Sequence, residues 1–324
     1  MKAVFVNSDH KELVIKEADK PKPGKGEVLV KMLASPINPS DLAKINEIDF
    51  EGSKSYIPGT EGCGVVVEAG KGILPKLLKG RRVACHATYS YSGCWSEYLL
   101  TKAGSCFPVI KKISDDLASM LIVNPMTAIA LADIVFEQKQ QTVIVSSAAS
   151  TVSQMLNTIF RKKQIEVINI VNSAEKVNSL KENGLLNVLN SNSASFPDDF
   201  KYLSGKYKPS IMIDAVGGEL INKLLPFLPE NAKIISYGNL SNEEIRFLPP
   251  VIVRQSKSIE GFFLGNYTKQ KGMLKTFIML IRANKLLKSH FKINIQACFR
   301  LDEVNIAVQE YLNNMTKGKV IIKP

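Results

Sequence analysis

The sequence has no uninterrupted apolar run close to the roughly 20 residues that a membrane-spanning helix needs, which argues against a transmembrane segment. It also has no C-x-x-C pair, and its five cysteines are an odd number. These two features argue against a disulfide framework and a structural zinc knot, and they predict free thiols in a reducing compartment. Met1 leads almost directly into the strand-like segment Ala3–Val6, which leaves no room for a cleavable targeting peptide. We therefore expect a cytoplasmic protein, or a mitochondrial one without a cleavable presequence.

Acidic residues are in deficit, with 30 Asp and Glu against 42 Lys and Arg, for a net charge of +12. Such an excess can attract nucleic acid or an anionic membrane surface. The basic residues are scattered, however, with only short clusters such as Arg161–Lys163 and Lys269–Lys271. We interpret the charge as a basic solvated surface and do not expect nucleic-acid binding; the alternative is attraction for an anionic cofactor, partner or membrane face.

Glycine is missing where it would be most diagnostic, in the stretch Thr142–Ile170. Thr142–Val145 is a β-branched run typical of a buried strand, and the small residues Ser146–Ser150 require a tight turn. Apolar side chains then recur at helical spacing from Thr151, and Val167–Val171 is a second buried strand. Strand, small-residue turn, helix and strand within about 30 residues predict the opening of a dinucleotide-binding unit.

The flanking sequence predicts two kinds of architecture. Up to about residue 110, short strands such as Glu27–Leu33 predict an antiparallel β-rich domain. Gly59, Gly62 and Gly64 fit a sharply bent strand of that domain, at positions where side chains would collide. Beyond it, strands alternate with helices, which predicts a parallel sheet covered by helices on both faces.

Seven segments in order resemble the medium-chain dehydrogenase/reductase superfamily, specifically its zinc-independent branch of quinone and enoyl-thioester reductases. The resemblance implies an α/β fold, with a Rossmann doubly wound parallel sheet inserted in a GroES-like bent β-barrel substrate domain. It implies a substrate domain at 1–115, a Rossmann domain at 116–264 and a return to the substrate domain at 265–324, with the active site in the cleft between them. A homodimer, or a subunit of a larger complex, is expected. The segments are Ser35–Asp41, Pro58–Gly70, Gly93–Tyr98, Asn124–Ala130, Asp214–Gly218, Tyr237–Gly238 and Gly318–Pro324.

Zinc is not expected, although zinc-dependent relatives use Cys, His and a third protein ligand. Thr60-Glu61 stands where those relatives have a His-Glu pair, and the first-ligand region Asn38–Asp41 has no cysteine. Cys85 and His86 both bind zinc elsewhere, but neighbours on a strand point to opposite faces.

The resemblance also places the phosphate-binding turn. In this branch Ala148 and Ser150 are ordinary replacements for glycine, whereas Ser153 replaces the glycine that normally persists for close packing of helix on strand. The six positions of G-x-G-x-x-G fall on Ala148, Ala149, Ser150, Thr151, Val152 and Ser153.

Cofactor preference is expected to depend on the end of the second strand, where NAD-binding relatives have an acid and NADP-binding ones often an arginine. This chain has neither. Asn172 could bond ribose hydroxyls and Lys176 could reach a phosphate, or Ser173 could simply cap the next helix. The resemblance to this branch implies NADPH rather than NADH as the cofactor.

Further cofactor positions follow from the same resemblance. Thr127 is expected near the nicotinamide carboxamide, and Tyr237–Gly238 at a strand end that faces the cofactor. Phe262 and Phe263 would line the cleft, and Lys319 could reach the phosphate end. For Phe263 a place in the core is favoured over cofactor contact.

At the reaction centre, Asn38 is the candidate to orient the acceptor, while Asp41 is expected to cap the next helix. Enoyl-thioester reductases carry a tyrosine near Phe50, which cannot donate a proton; Tyr56 could substitute, or could pack the loop. The predicted function is therefore zinc-independent NAD(P)H-dependent reduction of a small-molecule quinone, enone or enoyl thioester, with enoyl reduction in doubt. The alternative is a weakened or inactive accessory subunit, suggested by Ser153, Asn172–Ser173 and Phe50.

Overall fold

The computed structural model describes residues 1–7, 12–47, 56–89, 91–109, 112–291, 293–315 and 317–324, so the predicted role of Phe50 lies outside the described residues. The strands are β1 Lys2–Val6, β2 Leu13–Glu17, β3 Glu27–Pro36, β4 Glu61–Ala69, β5 Arg82–His86, β6 Tyr98–Lys102, β7 Cys106–Pro108, β8 Thr142–Val145, β9 Glu166–Val171, β10 Val188–Asn190, β11 Ile211–Asp214, β12 Lys233–Ser236, β13 Ser258–Gly261, β14 Ile295–Arg300 and β15 Lys319–Lys323. The helices are α1 Pro39–Glu47, α2 Ile73–Leu78, α3 Asp115–Ser119, α4 Val123–Glu137, α5 Thr151–Lys162, α6 Ala174–Glu182, α7 Phe196–Tyr207, α8 Gly218–Leu224, α9 Pro249–Val253, α10 Leu264–Ser289 and α11 Val304–Asn313.

The chain divides into two compact units. One consists of Met1–Met126 and Leu280–Pro324, and the other of Thr127–Met279. The resemblance implied the corresponding boundaries at 115/116 and 264/265. In the structure both divisions fall inside a helix, α4 and α10, so no turn or change of composition marks them.

The unit Thr127–Met279 is built on a six-stranded sheet in the order β10-β9-β8-β11-β12-β13, and every pairing in it is parallel. This is the order of the Rossmann fold, so the predicted parallel sheet is confirmed. β8 lies at the centre, where the order reverses, and its four residues are all buried. Because ligands of such sheets bind at the carboxyl ends of the strands around this reversal, the turn after β8 is the place to look for a cofactor site.

The other unit is mostly antiparallel, as expected for a GroES-like domain. Its main path is β14-β15-β3-β4-β5-β7, with β6 paired to β3 and a separate hairpin of β1 and β2. The parallel pair is β14 with β15, and it attaches the C-terminal segment to β3. The core of this unit includes Val4, Ile37, Trp95, Val304 and Val320.

Two glycines explain how closely β3 and β4 approach. A Cβ atom on Gly64 would lie 2.3 Å from the carbonyl oxygen of Lys31, and one on Gly62 would lie 2.4 Å from Cε of Met32. Neither distance is possible without moving a neighbour, so the prediction that side chains would collide here is confirmed at both positions.

The structure differs from the expected elements at several places along the chain. The sequence pattern predicts a strand at Cys94–Thr101, but the strand begins only at Tyr98, because Trp95 bonds instead to Val4 and Pro58 outside the sheet ladders. β14 and α7 were not predicted. Within the described residues, no helix combines the length and the apolar composition needed to cross a bilayer.

Candidate active site

The turn after β8 is shaped by backbone bonds among small residues. Ala148 N–H donates to the Ile170 carbonyl of β9 at 2.9 Å, and Ser150 N–H donates to the Ser147 carbonyl at 2.8 Å. Ser147 takes a positive φ of 47°, a conformation that a small polar residue adopts at modest cost. Ser150 is the N-cap of α5, and its hydroxyl accepts the Ser153 N–H at 3.3 Å. The amide groups at the start of α5, at Thr151 and Val152, have no acceptor inside the helix and form the positive end of its dipole.

Ser153 lies fully buried between α5 and β8. Its hydroxyl donates to the Ser146 carbonyl at 3.1 Å and accepts a bond from the Ser150 hydroxyl at 3.0 Å. The sequence identifies Ser153 as a departure from the glycine of this position, and the structure shows how it is accommodated: its hydroxyl bonds the carbonyl at the end of the strand. A buried hydroxyl with partners on both sides carries little desolvation penalty.

The neighbouring strand ends are joined by a second polar pair that the sequence reasoning did not single out. Ser146 Oγ donates to Asp214 Oδ1 at 2.7 Å and accepts the Ala215 N–H at 2.8 Å, and the Gly217 N–H reaches Asp214 Oδ2 at 2.9 Å. Burial raises the pKa of the Asp214 carboxyl, and these hydrogen bonds oppose the rise. The pair holds the carboxyl ends of β8 and β11 in register. In the sequence, only the family segment Asp214–Gly218 pointed to this place.

Tyr237 follows β12 and is directed at the same turn. Its phenol is buried beside the hydroxyls of Ser150 and Ser153, and burial raises its pKa. No described residue forms a well-aligned hydrogen bond with its hydroxyl. The Ser150 and Ser153 hydroxyls nevertheless act as hydrogen-bonding neighbours and partly offset the rise of its pKa. The phenol lies beside a helix N-terminus, the place where the phosphate or ribose of a dinucleotide binds in this fold. Gly238, the next residue, lets the chain pass Ala215, since a Cβ there would lie 3.2 Å from the Ala215 carbonyl oxygen.

The end of β9 supplies one amide and one cation. Lys176 Nζ donates to Asn172 Oδ1 at 2.9 Å, and Asn192 Nδ2 donates to the Asn172 carbonyl at 2.8 Å. Ser173 caps α6 by accepting the Lys176 N–H at 3.3 Å, so the simpler reading of Ser173 is confirmed. Asn172 and Lys176 remain together at the carboxyl edge of the sheet, where an anionic ribose phosphate is recognised in this fold.

The other unit contains a buried polar network that links three distant parts of its sequence. Lys319 Nζ donates to Asn38 Oδ1 at 2.6 Å, and Asn38 Nδ2 donates to Glu61 Oε1 at 3.1 Å. Since lysine only donates, the amide orientation of Asn38 is fixed by its two neighbours. The second Glu61 oxygen accepts the N–H groups of Ile122 (3.0 Å) and Val123 (2.8 Å), where α4 begins.

This network involves two residues with predicted roles. Asn38 is 1% exposed and both ends of its amide are engaged, which makes it a structural bridge in this unit; its role in orienting an acceptor stays a prediction. Lys319 is 4% exposed and is held by Asn38 and the Ile37 carbonyl, and its contact with a cofactor phosphate also stays a prediction. Glu61 was missed, although the pair Thr60-Glu61 had been noted for its lack of histidine.

Burial also sets the titration of the two charged members. Burial raises the pKa of Glu61 to about 7, against the stabilising effects of the α4 amides, Lys319 and Asn38. Burial lowers the pKa of Lys319 to about 8, opposed by the charges of Glu61 and Asp41. Near neutral pH both groups are therefore close to titration.

Asp41 and Thr60 lie next to this network. One Asp41 oxygen accepts the Asn38 N–H at 2.9 Å, which caps α1 as predicted. The other accepts both the Thr60 N–H (2.8 Å) and the Thr60 hydroxyl (2.6 Å). Thr60 thereby ties the start of β4 to α1 at the position where zinc-dependent relatives place histidine.

Tyr56 is 3% exposed and packs in the core of the same unit, with Lys44 Nζ 5.0 Å from its ring centre. Burial raises its pKa, as does the Asp41 charge. Loop packing therefore accounts for its position. It also lines a pocket of about 100 Å³ together with Thr60 and Tyr89, so a role as proton donor stays a prediction.

The remaining predicted residues are Thr127, Phe262 and Phe263. Thr127 is buried on α4, and Phe262 packs against Tyr267 with ring centres 5.6 Å apart. Phe263 is 69% exposed, so the preference for a core position was wrong. The reason is that β13 ends at Gly261 and the chain leaves the sheet before Phe263.

Metal ligands are not assembled in the parts of the chain that the structure describes: no group of three or more His, Cys, Asp or Glu could hold an ion there. Cys85 Sγ points at the Gly62 carbonyl at 3.6 Å, while His86 Nδ1 lies 3.1 Å from the Ala87 carbonyl oxygen.

Comparisons with known proteins agree with this architecture. Residues 24–111 match the family model of the alcohol dehydrogenase GroES-like domain, and residues 134–280 match that of zinc-binding dehydrogenases. The chain belongs to the medium-chain dehydrogenase/reductase superfamily. Within the superfamily its likeness is to the quinone oxidoreductase and enoyl reductase branch.

Individual relatives support that placement. A mitochondrial enoyl-[acyl-carrier-protein] reductase of Dictyostelium discoideum is 27% identical over 250 residues, 75% of this chain and 71% of the relative. The crystal structure of a Mesorhizobium loti protein, provisionally named an NADPH:quinone reductase, superposes with a TM-score of 0.91 at 28% identity, covering 100% of this chain and 98% of that one. A mycobacterial protein solved in complex with NADPH shares the fold at 21% identity, with a TM-score of 0.86 and full coverage of both chains.

Proposed function

We propose that this protein is an NADPH-dependent, zinc-independent oxidoreductase that reduces a quinone-type acceptor. The observation that carries the proposal is the full-length likeness to the Mesorhizobium loti protein named for NADPH:quinone reduction. Fold likeness alone would be insufficient, because one fold hosts many activities. The residues around the turn after β8 supply the independent support.

The Rossmann unit has the groups that a dinucleotide requires. The N-terminus of α5 would hold the pyrophosphate, with the Tyr237 phenol beside it. Asn172 would bond the adenosine ribose, and Lys176 would neutralise a 2′-phosphate. When bound, the reduced nicotinamide supplies the hydride. The choice of NADPH over NADH rests on Lys176 and on the lack of an acid at the end of β9.

A quinone asks less of the protein than an enoyl thioester does. Reduction of a quinone to a hydroquinone takes one hydride from the nicotinamide and one proton, and both hydrogens end on the two former carbonyl oxygens. The ring is already electrophilic, and water can supply the proton. An enoyl thioester must be protonated at carbon next to the thioester, which calls for a positioned acid. Tyr56, the phenol nearest that role, is buried with a raised pKa. The likeness to the Dictyostelium enoyl reductase nevertheless keeps enoyl thioesters as the second candidate acceptor.

The test is a titration followed by a turnover assay. Purified protein is titrated with NADPH and with NADH by calorimetry, and NADPH oxidation is then followed at saturating cofactor with benzoquinones, naphthoquinones and trans-2-enoyl thioesters. We expect tighter binding of NADPH and turnover with a quinone that a zinc chelator leaves unchanged.

Two results would contradict the proposal. Failure of both cofactors to bind near millimolar concentration would favour the accessory-subunit alternative. If the protein turned over enoyl thioesters but no quinone, enoyl thioesters would replace quinones as the proposed acceptor. The homodimer and the cytoplasmic or mitochondrial location stay predictions.

A further inference from the structure

The second part of α10 carries large apolar side chains on its solvent side. The helix is broken at Gly272, which has φ 78° and ψ 169°, and restarts at Met273. Met273 is 91% exposed and Leu274 74%, and one turn later Phe277 is 54% and Ile278 48% exposed. We call these four residues the apolar helix edge. Four adjacent apolar side chains on one helix surface are more than the single exposed apolar residues normal for a soluble surface.

The apolar helix edge is not part of the hydrophobic core. The same helix buries a different side, through Met279 and Ala283. Successive residues of a helix are rotated by about 100° around its axis. The apolar helix edge therefore spans an arc of roughly 140°, which lies away from that buried side. α10 is therefore anchored by one face and presents a second apolar face outward.

The stretch of sequence that contains this edge carries only positive charge. No Asp or Glu occurs between Glu260 and Asp302, while Lys or Arg stands at 269, 271, 275, 282, 285, 288, 292 and 300. Lys269 and Lys275 are exposed next to the apolar helix edge. Lys271 is engaged with Glu137 at 2.7 Å, so it is the neighbouring lysines that face solvent. A large part of the net charge of +12 is therefore concentrated in this one stretch of the sequence.

We propose that the apolar helix edge docks the protein on an anionic lipid bilayer surface. Apolar side chains flanked by lysines are the pattern of a helix that lies in the interface, with its apolar side at the acyl boundary and its ammonium groups at lipid phosphates. A symmetric contact with a second copy would bring a second set of lysines to the same patch and supply no opposite charge from it, whereas the phosphates of an anionic bilayer would neutralise them. A fluid bilayer needs no preformed groove for side chains as protruding as Met273. Such binding is peripheral and does not depend on the cofactor.

The experiment is co-sedimentation of the full-length protein with lipid vesicles. We compare phosphatidylcholine vesicles with vesicles that also contain roughly 30% phosphatidylserine, at low and at high salt. The expected result is binding to the anionic vesicles, weakened by salt. The double substitution Met273→Gln with Leu274→Gln should reduce the partition coefficient by about tenfold or more, and Lys269→Glu with Lys275→Glu should abolish the preference for anionic lipid.

A matched control is Leu248→Gln, which removes an equally exposed leucine (75%) from another part of the same unit and should leave vesicle binding unchanged. Thermal melting of each variant shows that the fold is retained. Lack of binding to anionic vesicles, or binding that the double glutamine variant leaves intact, would overturn the proposal. So would a dimer in sedimentation velocity that dissociates in that variant, since a second copy would then cover the edge.

Discussion

At the scale of single residues, Ser153 occupies a position where a Rossmann helix usually has no side chain. Its hydroxyl spans the gap between α5 and the Ser146 carbonyl instead of widening it. The bond to Ser150 adds a second connection inside the turn. The close helix–strand contact is thus kept by hydrogen bonding rather than by absence of bulk.

This role predicts the effect of restoring glycine. Ser153→Gly should lower the free energy of unfolding by about 1–2 kcal/mol, because buried hydrogen bonds are lost and glycine is less favourable in a helix. The NADPH dissociation constant should change by less than about threefold, or ~0.7 kcal/mol, since the hydroxyl faces the strand. Urea unfolding and calorimetry measure the two quantities.

Ser153→Ala is the matched control, because it removes the hydroxyl without the helical penalty of glycine. It should destabilise less than Ser153→Gly. A tenfold or greater gain in cofactor affinity with glycine would show that the serine obstructs the cofactor.

Glu61 gives the stability a predictable dependence on pH. Its pKa is about 7 in the folded protein against an ordinary value of 4.5, so the folded state holds the proton more tightly. The contribution of Glu61 to the free energy of unfolding is therefore greatest below pH 4.5 and is lost as the pH rises through 7. Its complete ionisation lowers the free energy of unfolding by an amount of the order of 3 kcal/mol. Lys319 acts in the reverse sense above its lowered pKa of about 8, so the test is confined to lower pH.

The test compares wild type with Glu61→Gln in urea at about pH 5 and about pH 7.5. The unfolding free energy of wild type should fall with pH relative to that of the variant. Glu68→Gln, on the same strand but with a side chain 44% exposed in a surface pair with Lys20, is the control and should leave the profile parallel to wild type. Parallel profiles for Glu61→Gln as well would refute the titration of Glu61.

At the scale of elements, strand ends and helix starts carry the candidate cofactor groups. Ser150 and Ser173 cap α5 and α6 with the same hydrogen bond, each accepting the N–H three residues ahead at 3.3 Å. Each cap satisfies one amide and leaves the remaining positive helix end available. The position of Lys176 follows from this arrangement, since the first turn of α6 returns its ammonium to Asn172.

Lys176→Ala should therefore discriminate between the two dinucleotides. We expect the NADPH dissociation constant to rise about tenfold, equivalent to ~1.4 kcal/mol, while that of NADH stays unchanged. Lys181→Ala, an exposed lysine of the same helix, is the control for net charge. Equal losses for both cofactors, or the same loss in the control, would remove Lys176 from phosphate recognition.

At the scale of the whole molecule, cofactor binding should stabilise by mass action. At a concentration 100 times the dissociation constant, the gain is about 2.7 kcal/mol. In hydrogen exchange the strongest added protection should fall in the Rossmann unit, at residues 146–153, 172–176 and 237–238. Lys176→Ala at the same NADPH concentration should show a smaller gain, and protection centred elsewhere would contradict the assigned turn.

Local pattern was sufficient for the Rossmann elements. β8, α5 and β9 were predicted within one or two residues, because strand and helix periodicity and the small-residue turn are properties of adjacent positions. The resemblance supplied the superfamily and the order of its parts, and the parallel sheet confirms that architecture.

The roles of particular side chains were decided only in three dimensions. Asn38 and Lys319 are 281 positions apart, and no local signal indicates that one would hold the other beside Glu61. Likewise, the sequence shows only that Ser153 replaces a glycine, whereas its hydrogen bond to Ser146 makes it a link between helix and strand. Periodicity reports which face of an element is apolar, but the partner of a buried polar group depends on which distant segment packs against it.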